Sequence, residues 1–367
     1  MKTPFYILAG IMAAALPASG QQPTVATESI VPQQHPENSM EQLSFTQVKK
    51  LAEQGDIHAQ TALGIRYLEG SGTEQNPELS FRWFKQAAEQ GNVEAQFFLG
   101  AGYMEGIGTE KNPVLALLWF QKAAEQGDAA AQRNLGFCYM QGNGTEKSMV
   151  RAFFWFKKAA EQGNATAQYN LALCYLQGNG TKKSPTLAFQ WFQKAANQDH
   201  VRAACHLGFC YMQGDGTEKN PSLAFRYFKQ SAEQGYAQAQ RSLGLCYMES
   251  ICTEKNPSLA FLWFQKAADQ GDDQAQANLG ICYMAGLGTE KNTALAFLWF
   301  KKAAEQGHAI AQYNLGICYM EELGTAKNSL EAERWLRKAA EQGYMKAQAK
   351  LEAINQTLQP FGLPSSF

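Results

Sequence analysis

Eight cysteines are the first residues of this chain whose chemistry asks for an explanation. Six of them, Cys138, Cys174, Cys210, Cys246, Cys282 and Cys318, follow one another at intervals of 36 residues. Equivalent atoms in helices packed side by side lie about 10 Å apart, beyond the roughly 7 Å Cα separation that a disulfide can bridge. The series cannot pair within itself, and in this register a free cysteine serves as a small buried hydrophobe. Cys205 and Cys252 fall outside the register and are the odd thiols. His206 precedes Cys210 by four residues, a helical spacing able to share a metal ion. Structural zinc wants four ligands and only these two are in phase, so no metal site is expected. His206 replaces the usual asparagine of its position and reads as a local recognition feature.

Catalytic signatures are missing from the sequence. It holds no Ser-x-x-Lys, no His-Glu-x-x-His and no Gly-x-Ser-x-Gly, and no nucleophile has a base beside it. Neither catalytic residues nor a cofactor are expected, and the chain reads as a non-enzyme. The Gly-x-Gly-Thr loops recur in nearly every unit without the Gly-Lys-Ser/Thr ending of a phosphate loop, so they are turns. Lys and Arg total 32 against 33 Asp and Glu. That balance gives no long-range attraction to nucleic acid or to an anionic membrane.

The elements that position these residues are read from a repeat. Ala-Glu-Gln-Gly begins at Ala52, Ala88, Ala124, Ala160, Ala232, Ala304 and Ala340, and variants at Ala196 and Ala268 fill the gaps at the same 36-residue interval. Each unit reads as two helices. The first, for example Ala131 to Gln141, ends at a glycine suited to a left-handed C-cap. The second opens at Asn-Pro, as at Asn76, Asn112, Asn220 and Asn256, where Asn caps free amides and Pro needs no donor. Seven tryptophans (Trp83, Trp119, Trp155, Trp191, Trp263, Trp299, Trp335) share one position with Tyr227 and read as packing between helices. Gly64, Gly100, Gly136, Gly208, Gly244, Gly280 and Gly316 let two helices approach closely. One hairpin cannot bury its own apolar face, so neighbours must stack.

At about 100° per residue, the equivalents of Ala59, Gln60, Leu63, Gly64, Arg66 and Tyr67 form the packed face of the first helix. The equivalents of Thr61, Ala62, Ile65, Leu68 and Glu69 point away from the second helix. That outward face is apolar in part, and it is the candidate partner-binding groove. Phe97, Phe98, Arg133, Asn134, Phe137, Tyr169, Asn170 and Leu173 contribute to it from earlier units. His206, Phe209, Arg241, Leu245, Asn278, Ile281, Tyr313, Asn314 and Ile317 continue it. A methionine row (Met104, Met140, Met212, Met248, Met284, Met320) runs beside it. Aromatic, Arg and Met side chains in a groove suit a protein partner, and Asn amides could bond an extended backbone. The alternative is that adjacent first helices bury the stripe against one another. The second helices, with Lys157, Lys158, Lys301, Lys302 and repeated Glu, read as a solvated convex face.

Residues 1–20 read as a secretory signal: Lys2, an apolar run from Phe5 to Pro17, then Ala18 and Gly20 before the cleavage point. The run is short for a bilayer span, and no later segment reaches about 20 apolar residues. An exported protein, periplasmic or secreted, with no membrane span after signal removal is expected. Residues 21–39 read as a flexible polar leader, 40–55 as an N-terminal capping helix, 56–343 as eight repeats and 344–367 as a C-terminal capping helix and tail.

Ala311 to Tyr319, the Gly-x-Gly-Thr loop and Trp299 to Gly307 resemble the Sel1-like repeat (SLR) family, relatives of the tetratricopeptide repeat. The resemblance implies an all-α fold, a right-handed α/α superhelical solenoid of helix-turn-helix repeats used as a scaffold or adaptor. It also implies an exported bacterial type serving envelope regulation or host interaction. The partner would be a protein or extended peptide held in the concave groove, with glycan as another ligand class. The cysteine-rich branch of the family, whose second cysteine per unit is missing here, supplies the alternative of a β-lactamase-like or cell-wall-binding protein. The loops at Glu249–Thr253 and Glu321–Thr325 lose family glycines.

Overall fold

The computed structural model describes residues 40, 42–251 and 253–358. The signal region, the leader, Cys252 and the tail from residue 359 lie outside the described residues. Regular structure among the described residues is entirely helical. The chain divides into two compact units, one running up to Ala203 and taking in Asp215–Thr217, the other comprising Ala204–Gly214 and the chain from Glu218. The first holds α1 (Phe45–Glu53), α2 (Ile57–Glu69), α3 (Pro77–Glu89), α4 (Val93–Glu105), α5 (Pro113–Glu125), α6 (Ala129–Gln141), α7 (Met149–Glu161), α8 (Ala165–Gln177) and α9 (Pro185–Ala196). Most of α10 (Val201–Gln213) belongs to the second, followed by α11 (Pro221–Glu233), α12 (Ala237–Glu249), α13 (Pro257–Asp269), α14 (Asp273–Ala285), α15 (Thr293–Glu305), α16 (Ala309–Glu321), α17 (Ser329–Glu341) and α18 (Met345–Leu358). Even-numbered helices up to α16 open a hairpin and odd-numbered ones from α3 close it. This is an α/α solenoid.

Local signals in the sequence account for the helix ends. Asn76, Asn112, Asn220 and Asn256 each accept, through Oδ1, an N–H of the first turn of α3, α5, α11 and α13, at 2.9 to 3.1 Å. First helices stop at a left-handed residue, glycine in most repeats; where glycine is lost, Ser250 and Glu322 adopt φ 58° and 56°. The second glycine of the loop is the more demanding. Gly144 has φ +72°, and a Cβ there would lie 2.1 Å from the Pro113 carbonyl oxygen of the preceding second helix. Within each hairpin, a phenylalanine of the second helix fills the space that a first-helix glycine leaves: a Cβ on Gly136 would meet the Phe156 ring at 2.6 Å. Phe120, Phe156, Phe192, Phe264 and Phe300 are fully buried. The tryptophan one residue earlier packs at the rim instead, its ring covered by the lysine three residues on, as Lys122 covers Trp119 at 4.0 Å and Lys194 covers Trp191 at 3.9 Å.

A glutamine pair closes each hairpin and, through its first-helix member, ties it to the hairpin before. Gln96 is buried on α4, where its Nε2 donates to the Ala88 carbonyl at 3.3 Å and its Oε1 accepts from Gln126 at 2.8 Å. The same 30-residue pairing joins Gln90 to Gln60, Gln162 to Gln132 and Gln198 to Gln168 in one unit. In the other it joins Gln270 to Gln240, Gln306 to Gln276 and Gln342 to Gln312. The Gln of Ala-Glu-Gln-Gly therefore fastens the two helices of its own hairpin, while the first-helix glutamine reaches back to the preceding one. Ala204 stands at this position in α10, so that rung is missing. The amino-terminal end is closed by Arg66, which occupies the cysteine position and donates to the Met40 and Leu43 carbonyls at 3.0 and 2.7 Å.

The cysteines Cys138, Cys174, Cys205, Cys210, Cys246, Cys282 and Cys318 are all free and buried. Burial pushes the Cys138, Cys282 and Cys318 thiols up to about 12 and Cys174 to about 11. Cys205, out of register, is fully buried as well, and its thiol is also raised.

Candidate partner-binding site

In the unit up to Ala203, α4, α6 and α8 present Phe97, Arg133, Asn134, Phe137, Tyr169 and Leu173, each half-buried. Their rings rest on the phenylalanine of the same hairpin: Phe97 on Phe120 at 6.0 Å, Phe137 edge-on to Phe156 at 5.2 Å, Tyr169 on Phe192 at 5.8 Å. Arg133 Nε donates to Asn134 Oδ1 at 3.2 Å, and Asn170 Nδ2 to the Thr166 carbonyl at 2.8 Å. In the second unit Phe209, Arg241, Leu245, Asn278, Ile281 and Tyr313 are likewise half-buried, with Phe209 edge-on to Phe228 at 5.0 Å. Such rings are held from beneath and keep only part of their surface for a partner.

Other expected lining residues lie deeper. Phe98 is 6% exposed and stacked on Phe84 at 4.7 Å, because its phase turns it toward α3, the second helix of the preceding hairpin. Ile317, Asn314, Asn170 and His206 are each less than a tenth exposed. The methionine row corrects the expected outward stripe: Met104, Met212, Met248 and Met284 are buried. Met104 sits in one core with Phe120 and Leu135, since an unbranched side chain bends from the rim into the gap toward the next repeat. Among the described residues no group of three or more His, Cys, Asp or Glu is placed to hold a metal ion.

A second row borders these faces, and it is made of the residues that cap the first helices. Tyr169 stacks on His200 at 4.8 Å, Arg241 pairs with Asp272 at 3.2 Å, and Tyr313 contacts Tyr344 at 5.3 Å. Each pair is 31 residues apart in the chain. The second helices expose Lys157 and Lys301, paired with Glu161 and Glu305. They also expose Leu118, Phe154, Leu262 and Leu298 to about half their surface, so this side is not wholly polar.

Tandem α-hairpins with a half-buried aromatic and amide face, repeated at fixed register, define the class of helical repeat proteins. The Sel1 repeat matches at residues 57–92, 93–128, 129–164, 165–200, 201–236, 237–272, 273–308 and 309–344, and the chain belongs to the Sel1 repeat family. Proteins of this kind generally mediate protein–protein interaction and are generally not enzymes. The chain is similar to a protective antigen present in uropathogenic Escherichia coli strains that displays an SLR fold. They share 36% identity and a TM-score of 0.75 over 86% of this chain and 68% of that one. It is similar also to a Sel1 repeat protein from Oxalobacter formigenes, with 30% identity and a TM-score of 0.63 over 84% of this chain and 89% of that one. No curated protein matches the sequence. No helix of the described residues is long and apolar enough to cross a membrane.

Proposed function

We propose that this protein is an exported interaction scaffold that holds a protein or extended peptide against its first-helix faces, in the cell envelope or toward a host. The observation that carries the reading is the aromatic face that each unit presents, Phe137 and Tyr169 in one and Phe209 and Tyr313 in the other, each ring packed on one side and half-exposed. Rigid aromatic rings that lose little freedom on binding are efficient anchors for a partner. The signal-like amino terminus and the 36% identity to a protective antigen support export.

Photo-crosslinking residues placed at Tyr169 and Tyr313, and separately at Leu118 and Leu298, test the assignment in intact cells. Adducts to a discrete partner at the tyrosine positions are expected. Adducts confined to the leucine positions would move the interaction to the second helices and sink the reading. Fractionation of the same cells checks export.

A further inference from the structure

The opening turn of each first helix needs an acceptor for its free amides, and Asp56, Asn92, Asp128, Asn164 and Asp272 supply a side-chain oxygen. Two repeats use an imidazole instead. His200 Nδ1 accepts the Ala203 N–H at 3.2 Å in one unit, and His308 Nδ1 accepts the Ala311 N–H at 3.2 Å in the other. A ring nitrogen accepts only while it carries no proton. Adding one turns the acceptor into a donor aimed at a donor, at the helix end where the dipole already disfavours a cation.

We propose that His200 and His308 make the first-helix faces acid-labile: protonation of either ring releases the opening turn of its helix and loosens the face residues beside it. For His200 the adjoining residue is Tyr169, whose ring lies on the imidazole; Asp199 and Arg202 flank it in the chain. For His308 the charged neighbours are Asp272 and Asp273 at the start of α14 and Arg241 on α12. Burial is the largest influence and, with Arg241, outweighs the two carboxylates, holding His308 below the ordinary histidine range. The unfolded chain then binds this proton more readily than the folded one. Stability is complete above about pH 6.5 and declines as the pH falls below it.

The full chain, labelled for imidazole nitrogen and for amide exchange, supplies the test between pH 7.5 and pH 5, as a range set by the histidine value of about 6.5. His308 is expected to keep an unprotonated Nδ1 to lower pH than the denatured chain does. Exchange at Ala203 and Ala311, corrected for its intrinsic pH dependence, is expected to speed up by about tenfold, the size of one pKa unit. In His308→Asn the acceleration at Ala311 disappears and that at Ala203 remains. Equal protection at both pH values, or an undiminished acceleration in the variant, overturns the proposal. Should the variant not fold, a wild-type His308 that titrates at or above the denatured-state value overturns it alone. None of these readings involves a partner, so the outcome is independent of the scaffold assignment.

Discussion

Ser80 on α3 is 1% exposed, and its Oγ has no hydrogen-bond partner. The same position holds Ala116, Ala152, Ala188, Ala224, Ala260, Ala296 and Ala332 in the other repeats, all buried without cost. An unsatisfied buried hydroxyl costs on the order of 1 kcal/mol or more. Ser80→Ala is therefore expected to stabilise the protein by about 1 kcal/mol, measured as a shift of the urea midpoint at unchanged m-value. The cysteines carry a second expectation at this scale. With burial raising Cys138, Cys174, Cys282 and Cys318 far above neutrality, a thiol reagent at pH 8, about the pKa of a free thiol, should leave them unmodified until the chain unfolds. Mass-spectrometric mapping of adducts checks this. Their inward phase was legible from the 36-residue spacing. Cys205 was not: it occupies a face position, but its core with Leu243, Cys246 and Tyr236 closes over it, a consequence of neighbours that no single helix phase records.

Helix ends and hairpin spacing were legible because capping and glycine act within a few residues. The glutamine rungs were not, because each joins side chains 30 residues apart. Gln96→Ala removes one rung, leaving the Ala88 carbonyl and the Gln126 amide without this partner. A loss of about 1–3 kcal/mol is expected in chemical denaturation. Gly144→Ala should cost at least about 2 kcal/mol, since φ +72° and a carbonyl oxygen at 2.1 Å oppose the added methyl together. Gly136→Ala should cost less: its neighbour is a ring that can shift, and the chain itself carries Ala172 at the equivalent place. The reverse order would show that the hairpin contact, not the loop, limits the repeat.

Helices of this chain pack chiefly on those next to them in sequence, so stability should accumulate from hairpins and the joints between them. The eight units and their register were legible from the period alone, whereas the division at Ala203 was not. Near it the sequence departs from its own pattern, with Asp199 at φ 58° in a place glycine usually fills and Ala204 where the rung glutamine belongs. Excision of residues 129–164 removes α6 and α7 and joins Asp128 to Ala165, which is the junction an intact repeat makes. Asp128 then caps α8 as Asn164 does now, and Gln126 keeps its bond to Gln96. The shortened chain is expected to fold with the same mean residue ellipticity, and with a smaller m-value in proportion to the surface lost. Removing residues 147–164 alone deletes α7, strips Gly136 of the Phe156 ring that covers it, and leaves a first helix facing the next first helix. That variant should aggregate or lose helix content. If both excisions unfold the chain equally, the hairpins do not act as additive modules, and coupling beyond nearest neighbours must be holding the array together.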